Sequence, residues 1–364
     1  MKRSLLYPVL ALVLLCLQSA CSENPKHLVL DLTDYDSIAV TIDYPILSSY
    51  SRLQPYIRNG DMYVVGYNHF EHYYDFINLS GGEHFSVEMQ REGADGVLTP
   101  SDFVVLQDEI VCKNQEGVIV VGMDGKVKNR LSMQELVHPE NVYSATTRTA
   151  TLGNYNYWDA DGSRVFIPFY PLVSGIPAGK IYDAEKHALE PLPFSYPDSI
   201  QRAIRSLGGL STPFVNGDAD RIVYNYPVSS EVYLYDWKTK ETKVIDMRSL
   251  TVSNELAISE FNIPDQKGRF TKELKSSRFN WVHYHAESGR YYRVHLASIE
   301  SLKTMFDRKS YLMVYDEKKN ETKEYLLPAD FSNAYVVQDD VMYVAYKKNT
   351  DDVFRLAKIE LEKL

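Results

Sequence analysis

Cysteine is scarce in this 364-residue chain: Cys16, Cys21 and Cys112 are the three, and only Cys112 lies beyond the first twenty-one positions. A single cysteine there excludes an intramolecular disulfide framework and a cysteine-based zinc cluster. Basic charge is short as well, with 39 Lys and Arg against 49 Asp and Glu, a net charge of −10. Removing residues 1–20, which hold Lys2 and Arg3 and no acid, leaves 37 − 49 = −12. A chain this acidic lacks the Lys/Arg surface that neutralises phosphates, so nucleic acid is excluded as a partner. The apolar run Leu5–Leu17, broken by Pro8, falls short of the roughly 20 residues that a spanning helix needs. No G-x-S-x-G elbow, Walker-type loop or dinucleotide fingerprint occurs.

What the N-terminus does hold is an address. A basic start, the apolar run and Gln18-Ser19-Ala20-Cys21 give the three-part layout of a secretory signal over residues 1–20. The stretch also resembles a bacterial lipoprotein signal, in which the cysteine is lipidated and becomes the mature N-terminus. Gln18 stands where such signals usually carry leucine, and Cys16 follows Leu15, which makes it a poor alternative. The expectation is a lipid on Cys21, a polar tether over residues 21–26, and a place at the cell envelope. The outer membrane is favoured, with membrane contact only through the N-terminal lipid.

The remainder is tyrosine-rich and repetitive. Its 28 tyrosines favour strands and supply amphipathic contact area, and packing between strands is the reading for most of them. IYDAEKHALE at 181–190 returns as LYDWKTKETK at 234–243 and VYDEKKNETK at 314–323. Each copy ends an alternating strand on Tyr-Asp, gives a charged turn and resumes alternation. Such a unit cannot bury its own apolar face and must stack on copies of itself, which predicts an all-β propeller over residues 27–364.

Four-stranded groups begin near Leu53, Phe103, Thr147, Thr212 and Arg278, with Asp124-Gly125 as a strong hairpin signal. The last group has only three strands, Ala334–Gln338, Val341–Lys347 and Val353–Leu361. An early strand, from His27–Leu32 or Ser37–Ile42, supplies the fourth and closes the ring. That gives six four-stranded antiparallel blades, with seven as the alternative. Aspartates 124, 183 and 236 are spaced by one blade each, while the longer gap to Asp316 leaves room for an insertion at 249–277. Short helices are expected from Asp198 or Ser199 to Leu207, and from a Ser298 cap to Asp307.

The segment Arg91-Glu92-Gly93-Ala94-Asp95-Gly96-Val97, the Tyr-Asp turns and Arg290-Tyr291-Tyr292-Arg293 resemble uncharacterised exported lipoproteins of Bacteroidetes with six-bladed, TolB-like rings. Ala94 stands where proline is frequent in them. The resemblance spans most of the mature chain and implies fold and location; it implies no activity.

His283, His285 and Glu287 alternate and share one face of an extended strand. An H-x-H pair can ligate zinc, with a third ligand such as His295 from the neighbouring strand. The remaining ligands are not evident, so no metal and no cofactor is expected. His69, Glu71 and His72 read as a solvated loop, and Asp159-Ala160-Asp161-Gly162 as a tight turn rather than a calcium loop. Tyr291 and Arg293 share a strand face, where an arginine beside a tyrosine suits an anion or a sugar and suits blade packing equally. Arg148 and Arg164 raise the same question. The candidate ligand-binding residues are Arg148, His283, His285, Tyr291 and Arg293. No catalytic residue is identifiable. The leading expectation is a non-catalytic, lipid-anchored module that binds an envelope protein or a glycan-like small ligand. An envelope glycan hydrolase or lyase acting at the central channel is the alternative, and a structural module docking through its blade faces is a third.

Overall fold

The computed structural model describes residues 27–42, 50, 52–106, 109–114, 116–137, 157–158, 164–169, 174–207, 212–217, 220–254, 263–349 and 353–364. The signal, the tether, Cys21, Arg148 and the strand expected at 147–152 lie outside them. Two N-terminal strands, β1 (His27–Asp31) and β2 (Asp36–Thr41), precede the blades. Blade 1 holds β3 (Leu53–Arg58), β4 (Asp61–Asn68), β5 (Tyr73–Asn78) and β6 (Phe85–Glu88). Blade 2 holds β7 (Asp102–Val105), β8 (Glu109–Lys113), β9 (Gly117–Gly122) and β10 (Val127–Ser132). Blade 3 runs through β11 (Tyr157–Trp158), β12 (Arg164–Pro168), β13 (Gly179–Asp183) and β14 (Ala188–Pro191). Blade 4 comprises β15 (Phe214–Gly217), β16 (Arg221–Asn225), β17 (Glu231–Asp236) and β18 (Thr242–Asp246). Blade 5 comprises β19 (Arg278–His285), β20 (Arg290–Leu296), β21 (Ser310–Asp316) and β22 (Glu321–Leu326). Blade 6 takes β23 (Phe331–Gln338), β24 (Val341–Tyr346) and β25 (Val353–Glu360) from the C-terminus.

Each blade pairs its strands antiparallel in sequence order, and β2 adds to β25 as the fourth strand of blade 6, Asp36 opposite Lys358 through Thr41 opposite Val353. The chain therefore closes its ring as a six-bladed propeller, with the first strands of neighbouring blades, such as β3 and β7 or β15 and β19, lying against one another at the axis. The other early strand does something the sequence pattern did not foretell. β1 lies parallel to β22, His27 opposite Thr322, as a fifth strand on the outer edge of blade 5.

Six apolar clusters occupy the six seams. Tyr74, Phe76, Phe103 and Ile119 fill the seam between blades 1 and 2, and Val104, Val120, Val165 and Tyr182 the next. Phe166, Ile181, Tyr224 and Tyr226 follow, then Val232, Ile245, Tyr291 and Met313. Leu312, Val314, Tyr335 and Val344 join blades 5 and 6. Val40 of β2 meets Leu53, Val64 and Phe354 at the closing seam. Alternation explains how one strand serves two seams: Val64 points to blade 6 and Val65 to blade 2, as a period of two requires. Each such side chain contributes about 1.5–3 kcal/mol on full burial.

The Tyr-Asp turns are built alike. Asp183 accepts from Lys186 N at 3.0 Å, Asp236 from Thr239 N at 2.7 Å and Asp316 from Lys319 N at 3.0 Å. Four residues after each aspartate stands one in the left-handed region: His187 (φ 50°), Lys240 (φ 63°) and Asn320 (φ 50°). The aspartates are turn formers, as short side chains that bond the backbone ahead of them should be. They also have partners that the repeat pattern concealed. Arg164, Arg221 and Arg290, each opening a second strand, lie opposite Asp183, Asp236 and Asp316, with Nε to carboxylate distances of 3.5 Å in blade 3 and 3.4 Å in blade 5.

Strand alternation gives the ring two unlike faces. One, the turn face, carries the hairpins joining first to second and third to fourth strands. The other, the loop face, carries the remaining hairpins and every blade-to-blade crossover. Helices α1 (Met133–Val137), α2 (Asp198–Leu207) and α3 (Gln266–Lys275) all belong to crossovers. α1 has a capping box that its Ser132-x-x-Glu135 spelling announces: Ser132 N donates to Glu135 Oε2 at 2.7 Å and Glu135 N to Ser132 Oγ at 3.2 Å. The insertion expected at 249–277 contains α3, whose Asp265 cap accepts from Gly268 N at 2.6 Å. The helix expected from Ser298 is shorter, a 3₁₀ turn over Leu302–Asp307 capped by Ser301. The Arg91–Val97 segment is a stitched crossover: Asp95 accepts from Val127 N at 3.0 Å, and Arg130 donates to Gly96 O at 2.6 Å.

Two outcomes follow for stability. Gly125 sits at φ 76°, and a Cβ there would stand 2.1 Å from Glu88 O. Gly125→Ala is expected to cost about 2–4 kcal/mol in urea unfolding, whereas Gly60→Ala, at φ 87° with open space around it, costs about 1 kcal/mol of backbone strain; equal costs would refute the contact. A chain beginning at residue 43 loses both early strands and leaves β25 as an unpaired edge, so it is expected to aggregate or unfold non-cooperatively in calorimetry.

Candidate functional site

The strand pair β19–β20 divides the candidate residues between two seams. Residues directly opposite in an antiparallel pair share a face. Arg293 lies opposite Val282 and Tyr291 opposite Tyr284, whereas His283 lies opposite Tyr292 and His285 opposite Arg290. His295 stands on the Arg293 side, away from the H-x-H pair, so the expected three-histidine ligand set does not assemble. Among the described residues, no group of three or more His, Cys, Asp or Glu is placed to hold a metal ion.

Arg293 is 1 % exposed. Its guanidinium donates to Met247 O at 2.6 Å and Ser230 O at 3.1 Å, both in blade 4, and lies 4.0 Å over the Phe279 ring. Burial pushes its pKa down to about 9. Tyr291 is fully buried, and its hydroxyl donates to Glu317 at 3.2 Å. Both were expected to touch a ligand; the seam between blades 4 and 5 covers them instead, with the terminal guanidinium nitrogens of Arg293 on two backbone carbonyls and the Tyr291 hydroxyl on Glu317.

His295 belongs to the same lock. Its Nε2 lies 3.3 Å from Ser249 Oγ, 3.2 Å from Thr251 Oγ1 and 3.6 Å from Glu324 Oε2. Glu324 also accepts from Leu250 N and Thr251 Oγ1, each at 2.6 Å. Serine, histidine and glutamate resemble a hydrolytic triad in composition, yet the geometry is otherwise: one ring nitrogen faces both hydroxyls and the acid, and His295 and Glu324 are fully buried. A triad needs the base between acid and nucleophile, one nitrogen for each. Burial raises the Glu324 pKa, but the bonds from His295, Thr251 and Leu250 outweigh it and bring the value down to about 2. Burial lowers that of His295. The cluster pins the first residues of the 249–277 crossover onto blade 5.

His283 and His285 do share a face, at the turn-face mouth of the channel. His285 Nε2 meets Asp340 Oδ2 at 2.9 Å and its Nδ1 meets Ser288 Oγ at 2.9 Å; His283 Nε2 lies 3.8 Å from the other Asp340 oxygen. The His283 contact, with both imidazoles nearby, holds the Asp340 carboxyl below its usual range. Asp340 sits in the blade 6 hairpin at φ 57°, so this group ties blade 5 to blade 6. His285 has both nitrogens engaged, and His283 is the more open of the two, at 28 %.

Polar locks recur elsewhere. Arg52 and Asp102 form a buried ion pair at the axis between blades 1 and 2. Lys113, pushed down to about 8 by burial, lies 5.1 Å over the Phe169 ring in the next seam. Asn225 Nδ2 donates to Asn280 O at 2.9 Å between blades 4 and 5.

What stays open to solvent lies elsewhere. Phe70, Leu98, Leu250, Phe270 and Leu302 are exposed apolar side chains on loop-face connections, Phe270 at 59 %. The turn face has Ile57 alone among the described large apolar residues so exposed; Val29, Leu30 and Val244 line the rim. α3 and the 3₁₀ turn pack together, with Ile299 N donating to Lys275 O at 2.9 Å, and so bring Phe270 and Leu302 to one region.

Arg293→Met is expected to lower stability by about 2–4 kcal/mol, because two seam carbonyls lose charged donors. Arg293→Lys recovers little of this, since an ammonium lacks the planar fork; a wild-type urea midpoint for the methionine variant would refute the lock. Glu324 has a folded pKa below its ordinary 4.5. Its contribution is therefore present above that value and is lost as pH falls toward about 2, by about 3 kcal/mol in all. Glu324→Gln is expected to be less stable at pH 6 and to approach the parent at pH 2.5; parallel curves would show that the carboxylate is not what titrates.

No protein-family model matches the sequence, and no curated protein does. Solved structures do match in fold. A member of the DUF4221 family from Bacteroides vulgatus is 12 % identical, with a TM-score of 0.61 over 89 % of this chain and 97 % of its own. A putative exported protein from Bacteroides fragilis is 9 % identical, with a TM-score of 0.53 over 92 % of this chain and 99 % of its own. The chain thus shares its fold, over about nine-tenths of its length, with these two Bacteroides proteins.

Proposed function

We infer that the protein is a lipid-anchored envelope module, a ring of the TolB-like kind, that binds a partner protein through its loop face without catalysing a reaction. The observation that carries this reading is the contrast between the two sets of side chains. Among the described residues, Arg293, His295 and Glu324 are enclosed in seams as locks and His285 is engaged by Asp340 and Ser288, while Phe70, Leu98, Leu250, Phe270 and Leu302 are left in water on one face. Exposed apolar residues gathered on one face suit an interaction surface, and residues on connections around a rigid ring are placed to meet a partner. The N-terminal signal and Cys21 support export and anchoring, and the match to an exported Bacteroides propeller accords with that address.

A photo-crosslinking residue at Phe270, in the full chain expressed in its own cells, is expected to give one discrete protein adduct. Leu302→Glu, which leaves the urea midpoint unchanged, is expected to reduce that adduct at least fivefold. A ladder of non-specific adducts, or release of new reducing ends from envelope glycans by the purified protein, would overturn the reading.

A further inference from the structure

Lys113 is unlike the other deeply buried cations among the described residues. Arg52 pairs with Asp102, and Arg293 lies on two backbone carbonyls. The Lys113 ammonium, on a side chain only 7 % exposed, has the Phe169 ring for company and, among the described residues, no hydrogen-bond acceptor. Its backbone is fixed: Ser101 N and Oγ donate to Lys113 O at 2.8 and 3.1 Å. Lys113 shares a face of β8 with Val111, toward the seam between blades 2 and 3, where a cleft opens. Lys113, Val104, Val111, Val118, Val165 and Ile167 line it. The cleft has about 270 Å³ of empty space up to its open mouth and narrows to a water-sized interior of about 20 Å³. Sites for drug-sized ligands start near about 300 Å³, so this one suits a molecule of a few carbons. Other charged groups on its walls are engaged. Asp102, opposite Lys113 in the β7–β8 pair, is matched by Arg52, and Lys180, opposite Ile167 in blade 3, donates to Glu135 O at 3.4 Å. A lone ammonium costs stability when buried, and burial pushes the Lys113 pKa down to about 8. The Phe169 ring offsets only part of that cost. A methionine would fill the same space with no charge to desolvate, so the cation is kept against stability, as groups that serve binding often are.

We propose that the cleft between blades 2 and 3 is a binding site for a small organic carboxylate, its head group on the Lys113 ammonium and its short apolar body against the valines. Charge sets the head group: one unmatched ammonium balances the single charge of a carboxylate, whereas a phosphate monoester brings nearly two. The walls set the body, since aliphatic side chains offer nothing to the hydroxyls of a sugar. The cleft belongs to blades 2 and 3, whereas Phe270 and Leu302 adjoin blade 5, so the site stands or falls apart from the partner-binding reading. A bound carboxylate favours the charged amine and raises its pKa. Affinity is therefore full below the unliganded value of about 8 and falls as pH rises through it.

The test titrates the purified full chain with 4,4,4-trifluorobutyrate and follows the probe by fluorine NMR. Saturable broadening is expected, with a dissociation constant of about 1 mM or tighter. Lys113→Met is expected to weaken binding at least tenfold while keeping or raising the urea midpoint, an outcome that a structural lysine would reverse. Binding to the parent is expected to be about tenfold weaker at pH 9 than at pH 7. A measurement that needs no variant is calorimetry of the parent at pH 8.5 in buffers of different ionisation enthalpy, where binding is expected to take up roughly half a proton or more. The uncharged analogue 4,4,4-trifluorobutan-1-ol is expected not to bind. Equal affinity for the alcohol, unchanged binding in Lys113→Met, a lowered urea midpoint in that variant with no proton uptake by the parent, or no saturation of the parent each overturns the site.

Discussion

Everything in this ring depends on the seam. A four-stranded antiparallel sheet has two apolar faces and no means of covering either, so each blade is stable only against its neighbours. Six clusters, each joining adjacent blades, meet that demand. A seam cannot be wholly apolar, because the strand ends and crossovers bring backbone carbonyls and amides into it. Buried groups of that kind must find partners or cost about 1–3 kcal/mol each. Arg293 on two carbonyls of blade 4 and Glu324 on the amide of Leu250 are solutions to one problem. Their polarity serves assembly, which is why they are enclosed.

That explains which parts of the fold were legible. Alternation in Val64–Val65 or Phe76–Ile77 marks strands buried on both faces, and the spacing of Asp183, Asp236 and Asp316 marks the blades, because both follow from the two-residue period and from turn chemistry. The early strand that completes blade 6 could be inferred because a three-stranded remainder leaves an edge. The fifth strand on blade 5 could not: a parallel pairing between residues 27–31 and 322–326 leaves no local trace in either segment.

The polar residues were harder, and for a definite reason. Type and alternation place Arg293, His283 and His285 on strand faces, but do not say whether a face meets water or the next blade. Tyr291, Arg293 and His295 had the look of a ligand platform because the chemistry that grips an anion is the chemistry that grips a carbonyl. Partners such as Asp340, Ser230 and Met247 lie far away in sequence, and only the ring brings them close. Glu324 is instructive: in Glu321-Thr322-Lys323-Glu324 it shares the buried alternation with Thr322, and a charged residue at an inward position signals a buried partner. The three Arg–Asp pairs were within reach too, since an arginine opens the second strand of each blade whose third strand ends in Tyr-Asp.

The first and last described segments of the chain meet in one quarter of the molecule, and this has a mechanical meaning. β1 leans on blade 5, β2 completes blade 6, and Leu364 O accepts from Lys323 Nζ at 2.7 Å and Tyr325 Oη at 3.1 Å, so the C-terminus is bound to the same outer strand that β1 pairs with. A pull on the N-terminus would reach the parallel β1–β22 ladder before it reached β2. The ladder lies along the strand direction, so such a load would shear several hydrogen bonds together instead of unzipping them singly. β1 thus separates two duties that a single closing strand would have to combine: it takes a load applied ahead of His27, and leaves β2 free to hold the ring shut.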